Sequence, residues 1–264
     1  MDKISEESKQ QKDRDELLKS KIKDKIKIAK NKNRYMETDF LDLREQEIVK
    51  SEIIKNKYQN TTLYGGNEKA ERKVLIAYTE QYEYILENIY DEILKIIRIE
   101  NPKEYYQKYE HRTYLGALIK LGIKREKIGD IIVKENGADI ICKSSISEFI
   151  ASNINTLTRF QKSKITIENI SELEYNEPEK QKVNIIVQSM RLDSIIAELA
   201  RTSRSKAQEL IQQERVFVNF KEELRASIKI EEDSYITIRG KGRFKINKIL
   251  NNTRSGKIVV EIEK

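Results

Sequence analysis

Cysteine and histidine are nearly missing from this 264-residue chain, which has one of each. A single thiol, Cys142, excludes an internal disulfide and a multi-cysteine zinc site. One imidazole, distant from it in sequence, leaves little from which to build a hydrolase triad or a metal centre. Long apolar runs are missing too: no stretch approaches the roughly 20 residues of a membrane-spanning helix. The opening MDKISEESKQQKDRDE lacks the apolar core of a secretion signal. There is no Walker loop and no Gly-x-Gly-x-x-Gly following a strand, so nucleotide chemistry has no recognisable phosphate cradle. These absences lead us to expect a cytoplasmic monomer with no membrane insertion, no cofactor and no metal.

What the chain has in abundance is charge, 36% of its residues, with a net +7. The excess sits at the ends. Residues 1–35 and 185–264 each carry +5, whereas 36–184 carry −3. A basic terminal domain suits a polyanion, most often nucleic acid. Lysine- and isoleucine-rich usage also follows from an AT-rich genome, so charge alone is weak.

Patterning divides the chain into an α+β, multidomain arrangement. Residues 1–80 read as a long charged helix followed by a small helical and mixed domain. Leu18, Ile22, Ile26 and Ala29 make a narrow apolar stripe on that helix, which is expected to be a mostly solvated face or basic arm, frayed at its start. Asp42 with Glu45 forms a capping box, and Val74–Tyr78 a strand. In residues 81–175 the order is strand (92–100), helix (111–122), two strands around an Asn136-Gly137 turn (127–143), capped helix (144–155) and strand (163–170). This β-α-β-β-α-β succession is the ferredoxin-like order. SELEYNEPEKQKVN (171–184) reads as a linker. Residues 184–264 read as two helices and a small antiparallel sheet.

The last segment poses an electrostatic question. In RTSRSKAQELIQQERVFVN (201–219), Ser203 or Ser205 is a natural N-cap of a helix whose inner face is Ala207, Leu210 and Ile211. Arg201, Arg204 and Lys206 crowd an end where the helix dipole is already positive, each unfavourable by roughly 0.3–1 kcal/mol. Helix amides and guanidinium groups converging on one point make a phosphate site. The alternative is that these cations face solvent or pair with Glu198 and Glu209.

Arg191-Leu192-Asp193, Ser203-Arg204, Ala207, Leu210, Ile211, Val216, Val218 and Asn219 together resemble the S4 RNA-binding domain. In that family the helical pair docks on structured RNA. The resemblance implies RNA contacts from Arg191, Arg201, Ser203, Arg204, Lys206, Gln208, Arg215, Asn219 and Lys221, with Arg239, Lys241 and Arg243 of the glycine-bearing RGKGRFKI. The family's glycine at the end of the second helix is replaced by Glu214, which leaves the placing of Arg215 open. With FLDLREQEIV, YGGNEKAERKV and HRTYLGALIKLGIKREKIGDI added, nearly the whole chain beyond its first thirty residues looks like the YlmH family of bacterial S4 proteins. That family is similar to the small S4 protein RqcP and its heat-shock relatives. The resemblance implies binding of rRNA or tRNA on the large ribosomal subunit carrying an obstructed peptidyl-tRNA, in ribosome-associated quality control, without catalysis.

Arg112, Lys124, Arg125 and Lys127 form a possible second RNA surface, with His111 expected to cap or pack near its helix start. The middle strands lack the aromatic pairs that stack bases in RNA-recognition motifs. The tyrosines at 78, 82, 84, 90, 105, 106, 109 and 114 are expected to pack between elements. Two rivals remain. One is an S4-targeted RNA-modifying enzyme similar to pseudouridine synthases, although Asp193 here opens the S4 helix and is expected to cap or pair locally. The other is a cell-division interaction protein acting through its first helix.

Overall fold

The computed structural model describes residues 2–175, 181–253 and 255–264, with side chains from residue 12 onward. It forms two compact units, Met1–Asn176 and Glu177–Lys264. Both are mixed α+β, and all three sheets pair their strands antiparallel.

The first unit opens with α1 (Asp2–Lys32), a stretch free of glycine and proline. It ends where Asn33 turns left-handed at φ 46° and Arg34 N–H returns to the Ala29 carbonyl. Next come β1 (Met36–Glu37), α2 (Leu43–Asn56), β2 (Thr61–Tyr64) and β3 (Val74–Ala77). The Asp42–Glu45 capping box on α2 is present as expected. The strands form a sheet in the order β1-β3-β2. α1 is the long, partly exposed helix expected, but its apolar stripe is docked rather than solvated. Ile22 and Ala29 are fully buried, and Ile22, flanked by Leu18 and Ile26, packs with Leu41, Val49 and Leu75. Burying those apolar side chains gains more than a frayed arm would, at about 25 cal/mol per Å² removed from water.

Then follow α3 (Leu86–Ile93), β4 (Leu94–Glu100), α4 (His111–Lys120), β5 (Ile128–Lys134), β6 (Gly137–Lys143), α5 (Ser147–Asn153) and β7 (Lys164–Asn169), the sheet running β5-β6-β4-β7. Three local expectations need correction. The strand placed at 92 starts at Leu94, because α3 carries Ile93 into the core. No side chain caps α5, and Ser147 Oγ instead donates to the Ser144 carbonyl. The β5–β6 loop is Glu135-Asn136, with Gly137 already paired in the strand. Gly137 is needed for closeness, since a Cβ there would sit 1.8 Å from the Ile99 carbonyl oxygen on β4.

Alternation gives this sheet two apolar faces. Ile97, Ile99, Ile140 and Cys142 meet Tyr114, Leu118 and Ile150 from α4 and α5. Leu94, Ile96 and Ile141 meet Phe40, Val74, Ile76, Ile89 and Tyr90. The second core therefore crosses residue 80, and the sheet is covered on both sides.

The second unit holds β8 (Lys182–Val187), α6 (Leu192–Leu199), α7 (Arg204–Gln212), β9 (Val216–Val218), β10 (Lys221–Glu222), β11 (Tyr235–Ile238), β12 (Gly242–Asn252) and β13 (Ile258–Glu263). Its sheet runs β10-β9-β11-β12-β13-β8, six strands and larger than the small sheet expected. β8 begins inside the stretch expected as linker, of which residues 176–180 lie outside the described residues. It is a strand because Ile185 and Val187 enter the same core as Leu192, Ile195, Ile211 and Val260.

Candidate nucleic-acid interface

The site is built where the ends of α6 and α7 meet. Ser203 caps α7, its Oγ accepting from Lys206 N–H at 3.3 Å. At the other end of that loop Arg201 terminates α6 in the left-handed region, φ 50°. Its N–H reaches the Glu198 carbonyl and that of Thr202 reaches Ala197, the paired bonds of a Schellman cap. A side chain in this conformation costs on the order of 1 kcal/mol relative to glycine. α7 ends the same way. Glu214 keeps the left-handed geometry at φ 59°, donating to Ile211 while Arg215 donates to Leu210. Losing the glycine therefore leaves the helix exit, and Arg215, where a glycine would have put them.

Part of the negative partner for the crowded helix start lies inside the molecule. Asp193, wholly buried in the first turn of α6, accepts from Arg191 (Nε 3.2 Å, Nη2 3.0 Å), from Arg204 (Nε 3.0 Å, Nη2 3.1 Å) and from Gln208 Nε2 (3.1 Å). Burial pushes this carboxyl up, but hydrogen bonds from Arg191, Arg204 and Gln208 outweigh it and hold the group well below the usual carboxylate range. The expected neutraliser of Arg204, an RNA backbone alone, is thus corrected, and so is the alternative of Glu198 or Glu209. One carboxylate serves two guanidiniums, and both Arg191 and Arg204 stay nearly half exposed.

Arg201 and Lys206 are different. Among the described residues neither makes an ion pair, with Glu198, Glu209 or any other acid. Together with Lys241 they line a recess of about 280 Å³, whose wall also includes Thr202 and Glu209. Lys241 arrives on the β11–β12 turn, closed by its N–H to the Ile238 carbonyl with Gly240 at φ 81°. Arg215 braces this turn, donating to the Arg239 carbonyl at 3.0 Å. Arg239 lies over the Phe217 ring and Arg243 over the Phe220 ring, at 4.9 and 5.4 Å. Lys221 is exposed on β10. Asn219 is occupied by the fold. It sits in the β9–β10 turn, with its Oδ1 accepting from Tyr235 N–H.

In the middle set two cations are committed within the fold and two are exposed. Arg125 is half-buried and donates to the Ile128 and Gly129 carbonyls, and burial beside Arg72 lowers it to about 10. Lys127 pairs with Asp39 at 2.6 Å and Arg112 with Glu110 at 3.0 Å, while Lys124 is exposed. His111 is exposed at the start of α4 and does not pack as expected. Most of the tyrosines join rings or cores as expected: Tyr64 stacks on Tyr90, Tyr109 meets Tyr105 and Tyr114, and Tyr84 alone is almost fully exposed. Burial pushes the Cys142 thiol up to about 12. Among the described residues there is no cluster of three metal-binding side chains and no helix able to cross a membrane.

Comparison with known proteins follows this geometry. A family model described as "Putative RNA-binding domain in YlmH" matches residues 89–174, and one described as "S4 domain" matches 190–233. Ribosome-associated protein quality control protein P2 of Bacillus subtilis (strain 168) is 32% identical over 240 residues, spanning 90% of each chain. Among solved structures, cell division protein ylmH from Streptococcus pneumoniae matches with a TM-score of 0.46 and 18% identity, over 60% of this chain and 93% of that one.

Proposed function

Because the chain belongs to the YlmH family of S4-domain RNA-binding proteins, we propose that it docks on structured rRNA or tRNA of the large ribosomal subunit. There it acts in ribosome-associated quality control on particles holding an obstructed peptidyl-tRNA, as a cytoplasmic monomer that stabilises a complex and breaks no bond. Its homologue in Bacillus subtilis carries that pathway in its name. The observation that carries the proposal is the recess along the flank of α7, where Arg201, Lys206 and Lys241 gather beside one acid, Glu209, and none of the three makes an ion pair among the described residues. A phosphate placed there meets three cations at once.

In this proposal residues 184–264 are the S4 module, and 1–80 with 81–175 form the other body. The strand order β5-β6-β4-β7 supports the ferredoxin-like description of 81–175. With both faces of that sheet covered, any RNA contact from it is through backbone and shape. RNA modification has less support, since Asp193 is buried and committed to two arginines.

The test is co-sedimentation with large ribosomal subunits across a salt series. R201E combined with K206E should abolish it, and wild-type binding should fall steeply with salt. Undiminished binding by that variant defeats the proposal.

A further inference from the structure

We propose that the outward face of the C-terminal sheet is a stacking platform for unpaired RNA bases. The RNA gripped along the flank of α7 then continues as a single strand across the sheet. The inference rests on the RNA-binding proposal above and adds to it the kind of RNA required.

Strand alternation sorts the side chains. Val216, Val218, Ile236, Ile238, Phe244 and Ile246 point into the core. Their neighbours in sequence, Phe217, Tyr235, Arg243 and Lys245, occupy the other face. Register sets Phe217, Thr237 and Arg243 in one row across three adjacent strands, and Tyr235 beside Lys245 in the next. Neither Phe217, Phe220 nor Tyr235 belongs to a hydrophobic core of the unit. They are half-buried by one another and by cations. Phe220 and Tyr235 lie 5.2 Å apart, Arg239 covers Phe217, Arg243 covers Phe220, and Lys245 stands 6.0 Å from Tyr235.

Two features favour a nucleic-acid strand as the occupant. The first is charge. Arg239, Lys241 and Arg243 cluster at the turn end of the face, next to the recess, and Asp233 at the far end is already held by Lys245. Glu222 beside Phe217, and Glu261 and Glu263 on β13, the latter beside Lys245, are the other acids on this face by register. Rings alternating with cations, as Phe217 does with Arg239, suit a polyanion whose bases stack. The second feature is the backbone at Phe220, which is held at φ 65° beside Asn219 at φ 47°. A two-residue hairpin turn of that hand takes glycine by preference, and a phenylalanine there is an outlier. Its ring extends the aromatic row to Tyr235.

The chain contains no tryptophan, so F217W in the full-length protein gives a reporter with no background. The probes are a fully paired RNA duplex and the same duplex with an unpaired adenosine tail. The tailed RNA should quench the reporter and the duplex should not. In anisotropy titrations the wild type should prefer the tailed RNA by about ten-fold, the usual worth of one stacked base. F217L with F220L should lose that preference yet keep duplex affinity, which also shows that it folds. F217Y with F220Y should retain it. Equal affinity of the wild type for both probes, or quenching by the duplex, overturns the platform and leaves the phosphate site standing. Failure to bind either probe overturns both. Quenching by a protein fraction but not by tailed RNA would reassign the face to a protein partner and likewise overturn the proposal.

Discussion

Asp139 in the first unit and Asp193 in the second are both inaccessible to solvent and both pinned by two cations. Arg98 and Lys134 hold Asp139 at 3.0 and 2.8 Å, and Arg191 and Arg204 hold Asp193 at 3.0 Å each. What surrounds them is opposite. Arg98 also feels Glu168 and Glu174, and Lys134 lies 4.0 Å from Glu174, so the surplus charge in the first unit is absorbed by nearby acids. Around Asp193 the surplus grows, through Arg201, Lys206 and Lys241, and no acid pairs with Arg201 or Lys206 among the described residues. The same device therefore closes one surface and primes the other. A buried carboxylate with two cations reveals little about binding until the neighbouring charges are counted.

The comparison breaks most visibly at the two aspartates. D193A should destabilise the second unit by about 3 kcal/mol, the low end for stripping a buried partner, because both arginines are half in water. D139A should destabilise the first unit by a similar amount without changing RNA affinity. Thermal unfolding beside RNA titration checks both, and an unmoved melting curve for D193A would show the network to be idle. Acid sharpens the contrast. The folded Asp193 carboxyl lies below its ordinary value, so its stabilisation is complete at neutral pH. It drains away as pH falls below about 4. The stability gap between wild type and D193N should accordingly narrow in acid. In salt titrations R201A and K206A should each lower the logarithmic slope of RNA binding by about 1, whereas K134A should leave it unchanged. The smallest effect is the most discriminating. R201G relieves a left-handed side chain and should stabilise the fold by about 0.5–1 kcal/mol while weakening RNA binding. Loss of both stability and affinity would mean that Arg201 serves the helix cap rather than the ligand.

Much of this was legible in the residues. The Ser203 cap, the Asp42–Glu45 box and the strand-helix rhythm of the middle segment depend on local chemistry, which short spacings record. Gly137 stood out, but for a turn, and its real constraint comes from a strand nearly forty residues earlier. β8 is hard to read because its first half mixes Lys182 and Asn184 with one valine and continues the polar linker. The docking of α1 was equally hidden, as a narrow stripe in a charged helix looks solvated until a groove is there to receive it. At the site, the basic residues are visible as a set and Asp193 reads as locally paired, but which cations it takes depends on contacts eleven to fifteen residues apart. The aromatic row was obscured because Phe217 sits between two valines and reads as core.

The doubly covered sheet of the first unit carries a practical corollary. A fragment beginning near residue 80, however natural the family boundary at 89 makes it look, would strip Phe40, Val74 and Ile76 from Ile96 and Ile141. Such a truncation would lay a slab of isoleucine bare to water and invite clumping. Dissection by cloning should therefore cut only within residues 176–180, keeping everything upstream as one piece.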